Sequence, residues 1–245
     1  MRFALVLGAG IVLGLVGCSM ELKEKVEETH PNGSKKKVVY YRSSPSNPRA
    51  VKIYYPDGSL QSEQYFEDGE KDSVTLIYHE NGNKYREAYY KEGKPHGKDI
   101  TWYKNGQVKS TAEYVDGEPV GTHVEYYEDG TKMSEVSFKD GKKHGEQRSW
   151  FPDSTEKELI SYDNGDRDGP YKSWYKNGNL REERTYVDNT LHGSYVLYHE
   201  NGKKSEAGTY KDGKYDGMRM GYNENGRKIS EVEFEDGKQM GGRVF

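Results

Sequence analysis

Residues 102–106 are Trp-Tyr-Lys-Asn-Gly, and the same five residues return at positions 174–178. The offset, 174 minus 102, is three times 24 residues. One series of glycines, each the second residue of an Asn-Gly or Asp-Gly pair, follows the same 24-residue spacing, with Ser154 at the one substituted position. These first-turn glycines are Gly58, Gly82, Gly106, Gly130, Gly178, Gly202 and Gly226. A fixed period of this length indicates a tandem-repeat protein.

Two more glycines recur in each period, eleven and fifteen residues after the first. Their only substitutions are Asn189 in the second column and Ser73 in the third. The segments between turns are rich in Tyr, Val, Thr and Glu, which is typical of strands joined by tight turns. We therefore predict an all-β chain: an elongated single antiparallel sheet of tandem β-hairpin repeats. Eight repeats are predicted over residues 53–245.

Two columns of aromatic residues accompany the glycines. The first column lies four residues before the first-turn glycine and comprises Tyr54, Tyr78, Trp102, Tyr126, Trp150, Trp174, Tyr198 and Tyr222. The second lies eight residues after it and comprises Phe66, Tyr90, Tyr114, Phe138, Tyr162, Tyr186, Tyr210 and Phe234. A two-residue first turn would place the columns on opposite faces, because side chains alternate along a strand.

A three-residue first turn, with its glycine closing a bulge, would instead place both aromatic columns on one face. We prefer this turn because it gives the sheet a single apolar face. That face is expected to include Leu76, Ile100, Val124, Val196, Val136, Ile160 and Val232. The other face is expected to be solvated and to carry Glu63, Glu87, Glu135, Glu183 and Glu231.

The repeated unit resembles a known family. Tyr-Lys-Asn-Gly, then Tyr or Phe, then Asp-Gly-Lys-x-His-Gly, with residues 140–145 as the best copy, resembles the MORN repeat. The resemblance covers about residues 53–242 and is closest to the bacterial variant form, some members of which are labelled antitoxins. It implies an elongated antiparallel sheet but no particular function. The Asn-Gly turn and the recurring Glu depart from the eukaryotic form, so lipid binding is not implied.

The first residues resemble the leader of a bacterial lipoprotein. A basic Arg2 and an uncharged apolar run precede Leu15-Val16-Gly17-Cys18, which resembles a lipobox. We predict a signal peptide over residues 1–17 and an acylated Cys18 that anchors the chain in the membrane. The residue after Cys18 is Ser19 and not an Asp, which at this position would resemble an inner-membrane retention signal. This favours the outer membrane. Cys18 is the only cysteine, so disulfides and cysteine metal sites are not expected.

The remaining N-terminal residues show little repeat pattern. Residues 18–37 are highly charged and are predicted to be a flexible tether, with a degenerate capping repeat over 38–52. Hydrophobic residues make up only 32% of the chain, so a large aliphatic core is not expected. The formal net charge is −4 without a basic block, which argues against nucleic acid as a partner.

No constellation of residues predicts catalysis, a metal or a cofactor. His96, His144 and His192 recur in alternate repeats, roughly 19 Å apart at two strands per repeat, which is too far for one metal. We expect each to pack on or bond to the neighbouring loop. The recurring glutamates are evenly spaced and more typical of a device for solubility. We therefore expect a protein that is not an enzyme.

The aromatic columns remain the best candidates for binding. Most of these rings are expected to be core, but one strip is expected to stay accessible for a partner. The candidate binding strip consists of Tyr103, Tyr127, Tyr175, Trp102 and Trp174. The leading interpretation is a lipid-anchored protein-interaction scaffold of the cell envelope. The alternatives are a carbohydrate- or peptidoglycan-binding module and an antitoxin-like protein that masks a partner.

The anchor gives the first testable prediction. Cells grown with a fatty-acid probe should label the parent protein and not Cys18→Ala, because the thiol is the predicted acylation site. Labelling is read on the purified proteins after fractionation of the cells. Equal labelling of the two proteins, or a parent found only in the soluble fraction, would contradict the prediction.

Overall fold

The computed structural model describes residues 21–245, which form one open antiparallel sheet of 21 strands. No helix occurs in this part of the chain, and consequently none that is long and apolar enough to cross a membrane. Each strand pairs with its neighbours in the sequence, and two strands are two-residue pieces of interrupted strands. The fold class predicted from the 24-residue period is confirmed. Cys18 and the predicted signal peptide lie outside the described residues.

The strands are β1 Lys23–Thr29, β2 Lys35–Tyr41, β3 Pro48–Tyr54, β4 Leu60–Glu67, β5 Glu70–Tyr78, β6 Lys84–Lys91, β7 Lys94–Trp102, β8 Val108–Val115, β9 Glu118–Tyr126, β10 Lys132–Lys139, β11 Lys142–Trp150, β12 Glu156–Asp163, β13 Asp166–Trp174, β14 Leu180–Val187, β15 Thr190–Leu191, β16 Gly193–Tyr198, β17 Lys204–Lys211, β18 Lys214–Tyr215, β19 Gly217–Tyr222, β20 Lys228–Glu235 and β21 Lys238–Val244.

The N-terminal boundary of the array differs from the prediction. The predicted tether over 18–37 is wrong from Lys23 onward, because β1 and the start of β2 form a hairpin there. Val26 lies opposite Val38, and three cross-strand ion pairs flank them, with N···O distances of 2.7, 2.6 and 2.9 Å. The charges that suggested disorder are therefore paired across the hairpin. The degenerate repeat consequently begins near Lys23 rather than at residue 38.

The first turn of each repeat has the predicted bulged geometry. In the turn at Gly58, the Tyr55 N–H donates to the Ser59 carbonyl and the Gly58 N–H donates to the Tyr55 carbonyl. The three residues between are closed by Gly58 at a φ of 86°, a conformation that favours glycine. The second turn is shorter. Asp68 and Gly69 both have positive φ, as a two-residue type I′ hairpin requires.

A second bulge, which the glycine pattern does not predict, reverses the predicted arrangement of the faces. Tyr54 lies opposite Leu60, but Ile53 lies opposite Ser62, so Gln61 is an extra residue. The same shift follows the first turn of every later repeat. Because one residue of register flips every side chain, the two aromatic columns lie on opposite faces. The prediction that they share a face is wrong.

We name the faces by the columns they carry. The Trp face carries the first column, and the opposite face carries the second. The strand register places Leu76, Ile100, Val124 and Val196 on the Trp face, whereas Val136, Ile160 and Val232 lie on the opposite face.

The predicted glutamate column does not form a separate solvated face. It lies on the Trp face, beside the aromatic rings. Glu63 is only 8% exposed, and the side chains of Glu87 and Glu231 are 18% and 16% exposed. The prediction is wrong because it took account of the first-turn bulge only. The second bulge shifts the register by one more residue and moves the glutamates to the Trp face.

From Tyr90 onward, each aromatic residue of the second column lies opposite a residue with positive φ. Gly97 lies opposite Tyr114, and Gly121 lies opposite Phe138, with φ values of 101° and 66°. The same pairing recurs in the later repeats. A glycine in a strand has no side chain to pack, so an aromatic residue directly across supplies the missing contact. The third glycine and the second aromatic column are thus two halves of one feature.

Little of the molecule is fully buried, because no second layer covers the sheet. The buried hydrophobic residues are Val38, Val39, Ala50, Ala88, Leu159 and Tyr195. Packing instead occurs within each face, where rings of one strand meet long side chains of the next. On the opposite face, for example, Arg167 lies 4.4 Å from the Tyr186 ring centre and Lys143 lies 4.9 Å from that of Tyr162.

Hydrogen bonds along the first-turn edge join successive repeats. In six of the eight repeats, the residue that follows the first-column aromatic directs its ring toward the next repeat, where it bonds to a backbone carbonyl. The tyrosine donors and their acceptors are Tyr55 to Tyr78, Tyr103 to Tyr126, Tyr127 to Trp150 and Tyr175 to Tyr198, at 2.7–2.8 Å. His30, His79 and His199 make the equivalent contact through Nε2 at 2.9–3.2 Å. We call this series the ring ladder.

A parallel series of asparagine side chains reinforces the ring ladder. The Asn105 amide donates to the Glu128 carbonyl at 2.9 Å, while its Oδ1 accepts from the Gln107 N–H. Asn32, Asn81, Asn177 and Asn201 make the same pair of bonds. Each Asn therefore shapes its own turn and holds the next one.

The ring ladder predicts the effect of its one unsuited residue, Phe151, which has no hydroxyl. Phe151→Tyr should place a donor near the Trp174 carbonyl and stabilise the protein by about 1 kcal/mol, the usual net value of a hydrogen bond. Tyr127→Phe should lose a similar amount. Urea unfolding with amide hydrogen exchange at the neighbouring turns measures both changes. Equal stability of Phe151→Tyr and the parent would show that the bond contributes nothing.

Candidate functional site

The predicted binding strip divides into two groups in the structure. Tyr103, Tyr127 and Tyr175 are half-buried members of the ring ladder, and their hydroxyls are already bound to carbonyls. Trp102 and Trp174 lie on the Trp face, also half-buried. The tyrosines therefore offer a partner only parts of their rings, and their first role is to connect repeats.

The two tryptophans belong to a continuous row across the Trp face. Within this row, a first-column aromatic alternates with the residue opposite it on the next strand. We call it the aromatic row, and its central part is Trp102, Val108, Tyr126, Lys132, Trp150, Glu156, Trp174 and Leu180. The predicted strip omits Trp150 and Tyr126, although the 24-residue period places them in the same column.

Lysines cover some of the rings in this row. The Lys84 ammonium lies 5.5 Å from the centre of the Trp102 ring and 2.5 Å from Glu87 Oε2. Lys132 repeats the arrangement, 5.3 Å from the Trp150 ring and 2.7 Å from Glu135 Oε2. Each ammonium is thus held between an indole and a carboxylate. An ammonium over an indole is attracted by the negative face of the ring.

Burial and hydrogen bonds act in opposite directions on Glu87. Burial alone raises the pKa of a carboxyl, but hydrogen bonds from Lys84 and Tyr89 outweigh it and hold the pKa of Glu87 below its ordinary value. The ion pair is therefore formed at neutral pH. The lysine that covers Trp102 is in this way fixed by charge as well as by the ring.

Trp174 lacks this cover. Glu156 occupies the position that Lys84 and Lys132 hold in their repeats, and its carboxylate accepts from Arg148 at 3.1 Å. Among residues 21–245, no Lys or Arg lies over the Trp174 ring. The side chain of Glu156 is 46% exposed. The aromatic row therefore has an open step between Trp150 and Trp174.

The opposite face carries a polar network around two tyrosines, the half-buried Tyr171 and the buried Tyr195. The Tyr171 hydroxyl lies 3.0 Å from Glu158 and 3.2 Å from Glu182, and the Tyr195 hydroxyl donates to Glu206 at 2.7 Å. Burial, followed by the nearby carboxylates, raises the pKa of both tyrosines. Arg184 and Arg219 pair with Glu182 and Glu206. This network holds neighbouring strands together and leaves its carboxylates engaged with donors.

The recurring histidines contact the next loop, as predicted. The Nδ1 atoms of His96, His144 and His192 lie 3.2, 3.1 and 3.5 Å from Asp116, Asp163 and Asp212. Within the described part of the chain, no three histidine, cysteine or acidic side chains come together as metal ligands would.

Comparison with known proteins identifies the repeat. The family model described as "MORN repeat variant" matches residues 50–68, 71–92, 95–116, 119–140, 167–188 and 191–212, which together make up more than half of the chain. The matches pass over the segment between residues 140 and 167, which contains Phe151, Ser154 and Glu156. No curated protein sequence matches the chain.

Similarities to solved structures are distant. The Tc holotoxin pore of Photorhabdus luminescens is 11% identical with a TM-score of 0.18, over 82% of this chain and 14% of that chain. The TcdB2-TccC3 structure without its hypervariable C-terminal region is 12% identical with a TM-score of 0.19, over 82% and 14%. The TcdB2-TccC3-TEV structure is 11% identical with a TM-score of 0.17, over 85% and 13%. The chain thus spans a small part of these proteins.

Glu87 gives a prediction about pH. A carboxyl whose folded pKa is lowered stabilises the protein above its unfolded pKa, and the contribution is lost as the pH falls through the folded pKa. Glu87→Gln should therefore be less stable than the parent at pH 7, by about 1 kcal/mol for this partly exposed pair. The difference should shrink as the pH falls from about 5 toward 3.

Urea unfolding of both proteins at several pH values measures this difference. Glu224→Gln, at an exposed turn residue, is the control and should follow the parent throughout. A difference between Glu87→Gln and the parent that stays constant with pH would contradict the assignment.

Proposed function

Because the chain belongs to the MORN repeat variant family and its repeats build one open sheet, we propose that it is a lipid-anchored scaffold of the cell envelope that binds a protein through the aromatic row. The observation that carries the proposal is the composition of that row. Half-buried aromatic rings alternate with Lys, Glu, Val and Leu across successive strands. Interface centres are enriched in such aromatic anchors, with polar side chains at their rims.

The shape of the row supports a macromolecular partner. From Trp102 on β7 to Trp174 on β13 it crosses six inter-strand steps, roughly 29 Å at about 4.8 Å per step. A long, shallow strip can contact the extended surface of a macromolecule, whereas a small molecule is usually bound in an enclosed pocket. The polar groups of the opposite face are engaged with one another, which leaves the Trp face as the better candidate.

The anchor completes the proposed role. Acylation of Cys18 would hold the array at a membrane surface, and Ser19 favours the outer membrane. Residues between Cys18 and β1 at Lys23 are then the whole connection, so the array would stand close to the membrane. Non-enzymatic binding, without cofactor or metal, is part of this proposal.

A carbohydrate ligand is the second candidate, and one observation favours it. First-column rings of successive repeats lie two strands apart, roughly 10 Å, which is about the length of a disaccharide. Aromatic rings at that spacing can stack on alternate sugars of a glycan such as peptidoglycan. The same variants distinguish it from the protein partner.

The test compares rings on the two faces. Tyr126 and Tyr162 are both half-buried. Tyr126 belongs to the first column, on the Trp face, and Tyr162 belongs to the second column, on the opposite face. We expect the yield of cross-linked envelope partner to be at least about tenfold lower for Tyr126→Leu than for the parent, because the substitution removes an interface anchor. Tyr162→Leu should retain the partner at a similar loss of stability.

Cross-linking in intact cells, with the partner identified by mass spectrometry, gives the protein readout. Sedimentation with purified peptidoglycan gives the glycan readout. An equal loss of cross-linked partner in both variants would contradict the proposal that the Trp face is the binding surface. Loss of peptidoglycan sedimentation with no cross-linked protein in the parent would replace the protein partner by the glycan.

A further inference from the structure

The repeats of this protein provide their own template for ligand chemistry on the Trp face. At two steps of the aromatic row, a lysine ammonium fills the space beside an indole. Lys84 covers Trp102 and Lys132 covers Trp150, each 18 residues before its ring. A carboxylate, from Glu87 or Glu135, holds the other side of the ammonium. The protein thus shows twice which group fits such a step.

The third tryptophan has the same neighbours in the strand register but no lysine. Trp174 lies 18 residues after Glu156, so a glutamate holds the position that a lysine holds in the other two repeats. Trp150 stands on one side of Glu156 in the row and Trp174 on the other, two strands apart or roughly 10 Å. Leu159 takes the place of Glu87 and Glu135.

The side chain of Glu156 is 46% exposed, and Arg148, the cation that contacts it, is shared with Glu146. Arg148 contacts Glu156 at 3.1 Å, but its shorter bond, 2.8 Å, is to Glu146. Lys172, opposite Leu159 on the next strand, is paired with Glu183 at 3.0 Å. Both nearby cations therefore have carboxylates of their own. An incoming ammonium would meet an indole face and the exposed carboxylate of Glu156. These are the same two kinds of group that hold Lys84 and Lys132, but here the carboxylate comes from the position of the lysine itself.

We propose that Trp174 and Glu156 form a binding site for a lysine side chain of a protein partner. The lysine ammonium lies over the Trp174 ring and pairs with Glu156, as the internal lysines do one and three repeats earlier. The identity of the partner as a protein rests on the proposed scaffold function. The ammonium chemistry of the site rests only on the comparison among repeats.

The experiment uses the full-length protein in detergent, labelled with 5-fluorotryptophan, so that each of the three tryptophans gives one fluorine resonance. Trp102→Phe, Trp150→Phe and Trp174→Phe assign the resonances. The probes are Nα-acetyl-lysine methylamide, its uncharged norleucine analogue and tetramethylammonium. We expect the lysine probe to shift the Trp174 resonance saturably. Norleucine should not, because it lacks the charge.

The other tryptophans and two variants are the controls. Trp102 already carries Lys84, so its resonance should shift at least about fivefold less than that of Trp174, the factor one exposed cation–π contact supplies. Glu156→Gln should weaken binding about fivefold by removing an exposed charge partner. Glu156→Lys should fill the step with an internal ammonium and abolish the response at Trp174.

Each contrary result overturns the proposal. Equal shifts from lysine and norleucine, or an unchanged response in Glu156→Lys, would remove the ammonium site. A tighter response to tetramethylammonium than to lysine would replace the lysine by a quaternary ammonium group. A specific lysine response without any cross-linked partner in cells would keep the site and reject the scaffold, so the two proposals fail separately.

Discussion

The bond from each ring-ladder side chain to the next repeat's carbonyl is the constraint on which the rest of the sheet depends. A single open sheet has no second layer to fix its strands, so neighbouring hairpins must be aligned by contacts in the plane of the sheet. The ladder supplies that alignment at the first-turn edge, because Tyr103 reaches Tyr126 and Tyr127 reaches Trp150. It also explains the strict period. An added residue would move the acceptor carbonyl away from the ring and shift every following side chain to the other face.

The same constraint accounts for the unusual composition. In such a sheet the side chains pack against one another along each face, which requires amphipathic residues with a long apolar part and a polar end. Lysine meets both needs beside an indole, as Lys84 and Lys132 do, and tyrosine meets them beside a carboxylate, as Tyr195 does with Glu206. A chain with only 32% hydrophobic residues can therefore fold without a conventional core. Its faces are consequently mixtures of rings and charges.

The sequence was sufficient for the fold but not for the faces. The period and the turn residues follow from the glycine positions, because glycine marks positive φ. The bulged first turn is confirmed, although the single apolar face that favoured it is not. The second bulge has no such mark, since the extra residue is Gln61 in one repeat and Tyr85 or Lys109 in others. The N-terminal hairpin was hidden for a different reason, because its ion pairs look like the composition of a disordered tether. The role of Tyr103 in the ladder was invisible because its acceptor is a backbone carbonyl, which every residue has.

The departures from the repeat are informative because the other repeats show what stability alone favours. Three of them fall in the hairpin of β11 and β12. Phe151 lacks the ladder hydroxyl, Ser154 takes a φ of 65° where other first turns have glycine, and Glu156 replaces the lysine that covers an indole. Each change costs stability, through a missing hydrogen bond, a strained backbone or an uncovered ring. Natural sequences tolerate such local losses chiefly where function requires them. Glu156 lies between Trp150 and Trp174 in the aromatic row, so this irregular hairpin supplies one side of the proposed binding site.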